Sequence, residues 1–120
     1  MINSPSNPTG TMVGHAEMKE LAHWCDRHGV RLISDEIYHG LDYAFPAVTA
    51  AELSDQAVVI NSFSKYFCMT GWRVGWMIGP NDVVKAATNL QSHATSNVAN
   101  VSQIAALAAV SGDLAAVDEM

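Results

Sequence analysis

The stretch NSFSKYFCMTGWRVGW, residues 61–76, decides the fold because it links two predicted strands through a short connection. It overlaps the end of the β-branched run AVVIN (57–61) and leads into WRVGWMIG (72–79). A parallel crossover needs about a dozen residues or more, and fewer than that separate Lys65 from the second run. We therefore predict that the strand at 72–79 runs antiparallel to the strand at 57–61.

A turn, a helix and a strand are predicted before this stretch. SPSNPTG (4–10) contains two prolines and a glycine, which is typical of a turn, and it begins so near Met1 that the strand before it is reduced to a stub. Residues 14–28 have apolar side chains at helical spacing, and Gly29 stands where a helix usually stops. VRLIS (30–34) then predicts a strand that ends at Asp35.

Two helices are predicted after the antiparallel strand. The first begins at Pro-Asn-Asp (80–82) and extends to about Gln91. After a polar connector at 95–97, VSQIAALAAV (101–110) forms the second, an Ala-rich helix. Gly112 ends this last helix. The pattern as a whole predicts an α/β fold with a mixed, mostly parallel sheet whose last strand is antiparallel.

Composition narrows the classes of partner. The chain has 6 Lys plus Arg against 12 Asp plus Glu, a formal net charge of -6, and no basic cluster, so we expect neither nucleic acid nor a membrane as a partner. Cys25 and Cys68 lack metal-ligand spacing, and the N-terminus lacks a targeting pattern. The sequence therefore predicts a cytoplasmic protein without a metal site, and small molecules or proteins as its partners.

Polar and charged side chains cluster where the predicted strands end. Ligands of open α/β sheets bind beyond the carboxyl ends of parallel strands, and the antiparallel strand begins at the same edge. This edge collects an amide, a carboxylate, a phenol, hydroxyls, an amine and a guanidinium, from Asn7, Asp35, Tyr38, Ser62, Ser64, Lys65 and Arg73. Two cations placed in an apolar neighbourhood are either paired with anions or used for chemistry.

Pyridoxal phosphate carries a group for each of these side chains. Its aldehyde suits Lys65 as a Schiff-base partner, and its phosphate suits Arg73 and the hydroxyl of Ser62. Asp35 would keep the pyridine nitrogen protonated, so that the ring serves as an electron sink. The remaining two side chains, Tyr38 and Asn7, would hydrogen-bond the ring oxygen.

These residues resemble the class I aminotransferases, a family of fold-type I pyridoxal-phosphate-dependent enzymes. The matching motifs are SPSNPTG (4–10), SDEIY (34–38) and SFSKYFCMTGWRVG (62–75), in the family's order. The resemblance implies transamination between an amino acid and a 2-oxo acid, a homodimer when the protein is full length, and the cofactor roles given above, with Lys65 also moving the proton. Cys68 stands where the family usually has another small residue, and we expect no consequence.

The resemblance also implies that residues 1–120 are the central part of the cofactor-binding large domain, without the small domain and the N-terminal part. The glycine loop that wraps the phosphate, the aromatic that stacks on the ring and the arginine that binds the substrate carboxylate would lie outside this chain. We therefore expect the 120 residues to be inactive alone.

Two other functions remain open for the same motifs. A β-eliminating lyase or a cyclopropane-forming synthase would use the same cofactor chemistry on the same fold. An aminotransferase-like sensor domain of a transcription regulator would bind the cofactor without turnover. MTGWR (69–73) favours a transferase, and the absence of a basic patch disfavours the regulator.

Several residues near the motifs are interpreted as structural. Glu36 should point away from its neighbour Asp35. We expect packing roles for the aromatic residues Tyr66, Phe67, Trp72 and Trp76, and surface or packing roles for His15, His23, His28 and His39. The glycines at four-residue spacing, Gly71, Gly75 and Gly79, indicate close strand packing.

Overall fold

The computed structural model describes residues 1–120 and contains one four-stranded sheet with the order β1-β2-β3-β4. Its strands are β1 (Ile2–Asn3), β2 (Ile33–Asp35), β3 (Val58–Ser62) and β4 (Gly75–Ile78). The first three are parallel, and β4 is antiparallel to β3. The predicted α/β fold, with its mixed sheet and antiparallel last strand, is confirmed.

β3 begins one residue later than predicted, and β2 and β4 each begin three residues later for a local reason. The N–H of Val30 donates to the carbonyl of Cys25 at 2.9 Å, so residue 30 still closes the preceding helix and β2 starts only at Ile33. Residues Thr70–Trp72 form a 3₁₀ turn, and Arg73 follows with a left-handed φ of 55°. Because a left-handed residue cannot continue an extended strand, β4 starts only at Gly75.

The four helices are α1 (His15–Arg27), α2 (Asn81–Ala94), α3 (Asn100–Ser111) and α4 (Ala115–Glu119). The carboxylate of Glu17 accepts the N–H of Gly14 at 3.0 Å and caps α1, while Gly29, at φ 64°, lets the chain leave its other end. The predicted helix at 14–28 is therefore confirmed. Helix α2 extends beyond Gln91, and α4 was not predicted.

The core lies between α1 and one face of the sheet. Three α1 side chains form a cluster with residues of β3 and the segments around it: the seven buried members are Met18, Ala22, Cys25, Leu32, Ala50, Ala57 and Val59. A smaller cluster of Phe63, Met69 and Ala106 packs the turn after β3 against α3. These two clusters hold the carboxyl ends of β2 and β3 in place.

The opposite face of the sheet is open around Ile60, although Val58 on the same face is buried. Side chains alternate along a strand, so Ile60 points away from the face that Val59 packs against α1, and 41% of Ile60 is exposed. Helix α3 also exposes apolar side chains: Val101, Ile104, Leu107 and Val110. No helix combines the length and the apolarity needed to cross a membrane.

Two of the three predicted glycine contacts are present. A Cβ on Gly75 would lie 2.8 Å from the carbonyl oxygen of Asn61, and a Cβ on Gly79 would lie 3.3 Å from Cγ2 of Val58. The prediction was wrong for Gly71, which has no atom within 4 Å of the position of a Cβ. Close packing is therefore confined to the antiparallel pair of strands, and Gly71 lies in the open turn before it.

The predicted aromatic packing is found around Phe63. The ring of Phe63 lies 5.1 Å from the rings of both Phe67 and Trp76, and Tyr66 lies 5.0 Å from Phe67. Trp72 is 43% exposed and takes part in none of these ring pairs. Three of the four aromatic residues thus pack as predicted next to the turn that carries Lys65.

Candidate active site

A tight turn after β3 directs Lys65 into a cleft. The N–H of Ser64 donates to Oγ of Ser62 at 2.9 Å, and Oγ1 of Thr70 donates to the carbonyl of Ser64 at 2.9 Å. These two bonds fold the chain back on itself directly after the strand. The resulting cleft, of about 420 Å³, is lined by Ile37, Ser62, Ser64, Lys65, Thr70, Arg73, Val74 and Gly75.

Lys65 and Arg73 line this cleft together, as the antiparallel strand predicted. One guanidinium N–H of Arg73 donates to the carbonyl of Thr70 at 2.9 Å, which leaves its other N–H groups free. Neither cation is paired with a carboxylate, because the one ion pair of the structure joins His39 to Glu36. Two unpaired cations in one cleft favour the binding of an anion.

The hydroxyls of the cleft add neutral donors. Oγ of Ser62 accepts the N–H of Ser64, so the proton of the Ser62 hydroxyl remains available to a ligand. The hydroxyl of Thr70, in contrast, is already used for the carbonyl of Ser64. Ser62 and Arg73 therefore offer hydrogen-bond donors of the kind that a phosphate group accepts.

Asp35 is the last residue of β2 and does not line the cleft of Lys65. It pairs in register with Ile60, so its side chain lies on the open face of the sheet, the same face as Ser62 two residues further along β3. The carboxylate is half-buried, and its Oδ1 accepts the N–H of Ile37 at 3.2 Å. Its Oδ2 has no donor from the chain and is free for a ligand.

Asn7 and Tyr38 line a second, smaller cleft of about 250 Å³. The two clefts are neighbours. Nζ of Lys65, in the first cleft, lies 5.8 Å from the centroid of the Tyr38 ring, which lines the second. The structure thus brings Lys65, Ser62 and Arg73 together in one cleft and Asn7 with Tyr38 in the next.

Asn3 holds two of the predicted site residues together, and the sequence pattern did not single it out. Its Oδ1 accepts the N–H of Asn7 at 2.8 Å, and its Nδ2 donates to the carbonyl of Asp35 at 3.1 Å. The signal that was available is its place at the end of β1, directly before the turn cluster at 4–10.

Glu36 is structural, as predicted. It is 2% exposed, and its Oε1 accepts the N–H of Ala50 at 2.9 Å. Strand alternation places it on the α1 side of the sheet, away from Asp35. The two adjacent acids therefore have different surroundings, one in the core and one facing the clefts.

The donors and acceptors of these clefts fit pyridoxal phosphate. Unpaired cations and a free hydroxyl suit its phosphate, and a free carboxylate oxygen on the same sheet face suits its ring nitrogen. Lys65 is half-buried with no acceptor bound to its amine, which suits an aldehyde partner. No ion pair involves Lys65, Arg73 or Asp35, and each of the groups named here keeps a donor or acceptor that the chain does not use.

Comparison with known proteins identifies one family. The family model described as aminotransferase class I and II matches residues 1–120. An aspartate aminotransferase of Streptomyces avermitilis is 55% identical over 98% of this chain and 30% of its own length. One of Geobacillus stearothermophilus is 49% identical over 100% of this chain and 32% of its own. A mutant aspartate aminotransferase of Thermus thermophilus, 32% identical, superposes with a TM-score of 0.95 over 98% of this chain and 32% of its own. The chain thus spans about a third of the length of these relatives.

Proposed function

The chain belongs to the aminotransferase class I and II family, and we propose that it supplies the cofactor-binding centre of a pyridoxal-phosphate-dependent aminotransferase. The reaction moves an amino group between an amino acid and a 2-oxo acid. The observation that carries this proposal is the single cleft in which Lys65 and Arg73 lie without any carboxylate partner. A reactive amine beside an anion-binding guanidinium matches an aldehyde that also bears a phosphate.

The placement of each side chain supports its proposed role. Arg73 and Ser62 bind the phosphate, Asp35 binds the ring nitrogen through its free Oδ2, and Asn7 and Tyr38 bind the ring oxygen. When bound, pyridoxal phosphate supplies an electron sink that stabilises negative charge at the α-carbon of the amino acid. A carboxylate at the ring nitrogen keeps that nitrogen protonated and thereby maintains the sink.

Lys65 has two tasks in this proposal. Its Nζ would hold the cofactor at the aldehyde carbon, and the same Nζ would serve as the base that moves the α-proton of the amino acid. The ring of Tyr38, 5.8 Å from Nζ, borders the space in which Lys65 moves between these positions. The hydrogen bonds of the turn hold the backbone of Lys65, so only its flexible side chain has to move.

Substrates, assembly and location belong to the same proposal. Aspartate is the first amino donor to test, because the relatives from S. avermitilis and G. stearothermophilus are aspartate aminotransferases. We place the protein in the cytoplasm as a homodimer; the two free cysteines, Cys25 and Cys68, suit a reducing compartment. The named relatives do not favour a lyase, a synthase or a regulatory sensor.

The native gene product that carries this sequence tests the proposal. With pyridoxal phosphate, aspartate and 2-oxoglutarate, we expect glutamate formation, and we expect Lys65→Ala to lower the rate by about two to four orders of magnitude because the proton-moving group is lost. Lys85→Ala, a change of an exposed lysine on α2, is the matched control and should keep the wild-type rate. Turnover that survives in Lys65→Ala would contradict the assignment.

A further inference from the structure

His39 connects the two segments that carry Asn7 and Tyr38. It directly follows Tyr38 in the chain, and its ring reaches back to the loop that contains Asn7. Its Nε2 lies 3.1 Å from the carbonyl oxygen of Ser4, and its Nδ1 lies 3.4 Å from Oε2 of Glu36. Each ring nitrogen therefore faces an oxygen that accepts a hydrogen bond.

The Glu36 side of this arrangement is fixed in the core. The residue is 2% exposed, and the N–H of Ala50, itself fully buried, donates to its other carboxylate oxygen at 2.9 Å. A buried carboxylate with a backbone donor has one stable orientation, because leaving that position would cost the hydrogen bond without a gain from water. Oε2 is thus a fixed point against which the His39 ring is oriented.

The Ser4 side controls the loop that carries Asn7. Ser4 is buried, its Oγ accepts the N–H of Val13 at 2.9 Å, and its own N–H donates to the carbonyl of Asp35 at 3.3 Å. Residues 4–13 therefore form a loop that is closed at Ser4, with Asn7 inside it. A hydrogen bond to the Ser4 carbonyl restrains the position of the whole loop.

We propose that His39 is a positioning residue for cofactor binding: it holds the loop of Asn7 against the segment of Tyr38, so that both side chains reach the same cofactor oxygen. This inference rests on the proposed function, in which these two side chains bind the ring oxygen of pyridoxal phosphate. Hydrogen bonds from two separate segments to one atom tolerate only small displacements, so the segments need a fixed spacing. The hydrogen bond that supplies this spacing runs from Nε2–H of His39 to the Ser4 carbonyl, because the carbonyl can only accept.

A cofactor analogue separates this role from a contribution to folding alone. 3-Deoxypyridoxal 5′-phosphate lacks the ring oxygen but keeps the aldehyde, the phosphate and the ring nitrogen. In the native gene product, dissociation constants for pyridoxal phosphate and for this analogue are measured by absorbance for the wild type, His39→Leu and His39→Gln, with thermal midpoints recorded in parallel. His28→Leu is the matched control, because the ring of His28 contacts Trp24 at the far end of α1.

We expect His39→Leu to weaken pyridoxal phosphate binding by about tenfold, the effect of one displaced hydrogen bond, and to leave binding of the analogue unchanged. His39→Gln should restore most of the affinity, because the Gln amide places an N–H donor near the position of Nε2. If His39→Leu does not fold, the comparison moves to His39→Asn, whose shorter amide does not reach Ser4 and should bind pyridoxal phosphate more weakly than His39→Gln.

Three results would overturn the proposal. An equal loss for both ligands would mean that His39 stabilises the fold only, and unchanged binding of pyridoxal phosphate in His39→Leu would remove the role altogether. Equal affinities of His39→Gln and His39→Asn would exclude the bond to Ser4 as the cause. A wild-type protein that binds neither ligand would instead contradict the proposed function itself.

Discussion

At the scale of single residues, the candidate site depends on side chains that the chain leaves unpaired. Lys65 and Arg73 share a cleft without a carboxylate, and Oδ2 of Asp35 has no donor. Glu36, next in sequence to Asp35, is in contrast fully engaged with Ala50 and His39. Strand alternation thus places the two adjacent acids differently: Glu36 is bonded in the core, and Asp35 keeps one carboxylate oxygen free.

The substitution Asp35→Asn tests whether Asp35 is the acid that binds the ligand. We expect amino transfer in the native gene product to fall by several orders of magnitude while pyridoxal phosphate still binds, because a neutral amide does not keep the ring nitrogen protonated. Rates and cofactor affinity are measured for this variant and for Asp55→Asn, an exposed control in the turn before β3. Near-wild-type turnover in Asp35→Asn would move the electron-sink role to another residue.

The placement of the candidate site residues at strand ends was predictable because strands, turns and charged residues have local signals in the sequence. Asn3 and His39 were not singled out for the site, since their partners are the backbone carbonyls of Asp35 and Ser4, which lie 32 and 35 residues away in the chain. A local sequence pattern does not predict which distant backbone carbonyl a side chain will bind. Positioning residues of this kind become visible only when the sheet has brought distant segments together.

At the scale of elements, the antiparallel pair of β3 and β4 closes the cleft from one side. The pairing Ser62↔Gly75 sets a hydroxyl of the site directly opposite a glycine. The direction of β4 followed from the short connection, whereas its start at Gly75 did not, because the 3₁₀ turn and the left-handed Arg73 depend on contacts to Thr70 and Phe63. Composition alone, which is β-rich at 72–79, therefore overestimates the length of the strand.

Gly75→Ala is the sharpest test of this element. A Cβ would lie 2.8 Å from the carbonyl of Asn61, so the strands must separate, and we expect a loss of about 1 to 3 kcal/mol in the free energy of unfolding. Gly71→Ala, with nothing within 4 Å of its Cβ position, is the matched control and should change stability little. Denaturant midpoints of the native gene product decide the point, and equal midpoints for the two variants would refute the close contact.

At the scale of the whole molecule, many apolar side chains remain exposed to solvent. Only 18 of the 120 residues are buried, and part of one face of the sheet and the apolar side of α3 are open. Mostly parallel sheets are normally covered on both faces, so we expect this exposed apolar surface to be covered in the native protein. The sequence predicted an Ala-rich helix at 101–110, and the exposure of Ile104, Leu107 and Ala108 agrees with the expectation that residues 1–120 are part of a larger domain.

We therefore expect the isolated 120-residue chain to self-associate and to be inactive. Ile104 and Leu107 are 61% and 64% exposed, and surfaces of this kind are buried by association in water. Sedimentation velocity over a range of concentrations, with thermal melting, measures the effect; replacing both residues with Gln should reduce the association. A monomer that melts cooperatively and transfers amino groups would show that the open surface needs no partner.

The central claim is that Lys65 holds pyridoxal phosphate, and the site of covalent attachment tests it most directly. The native gene product is incubated with the cofactor, reduced with borohydride, digested and mapped by mass spectrometry. The account predicts the reduced cofactor on Lys65, with Lys19 and Lys85 unmodified. Attachment to another lysine in place of Lys65, or no attachment at saturating cofactor, would contradict it.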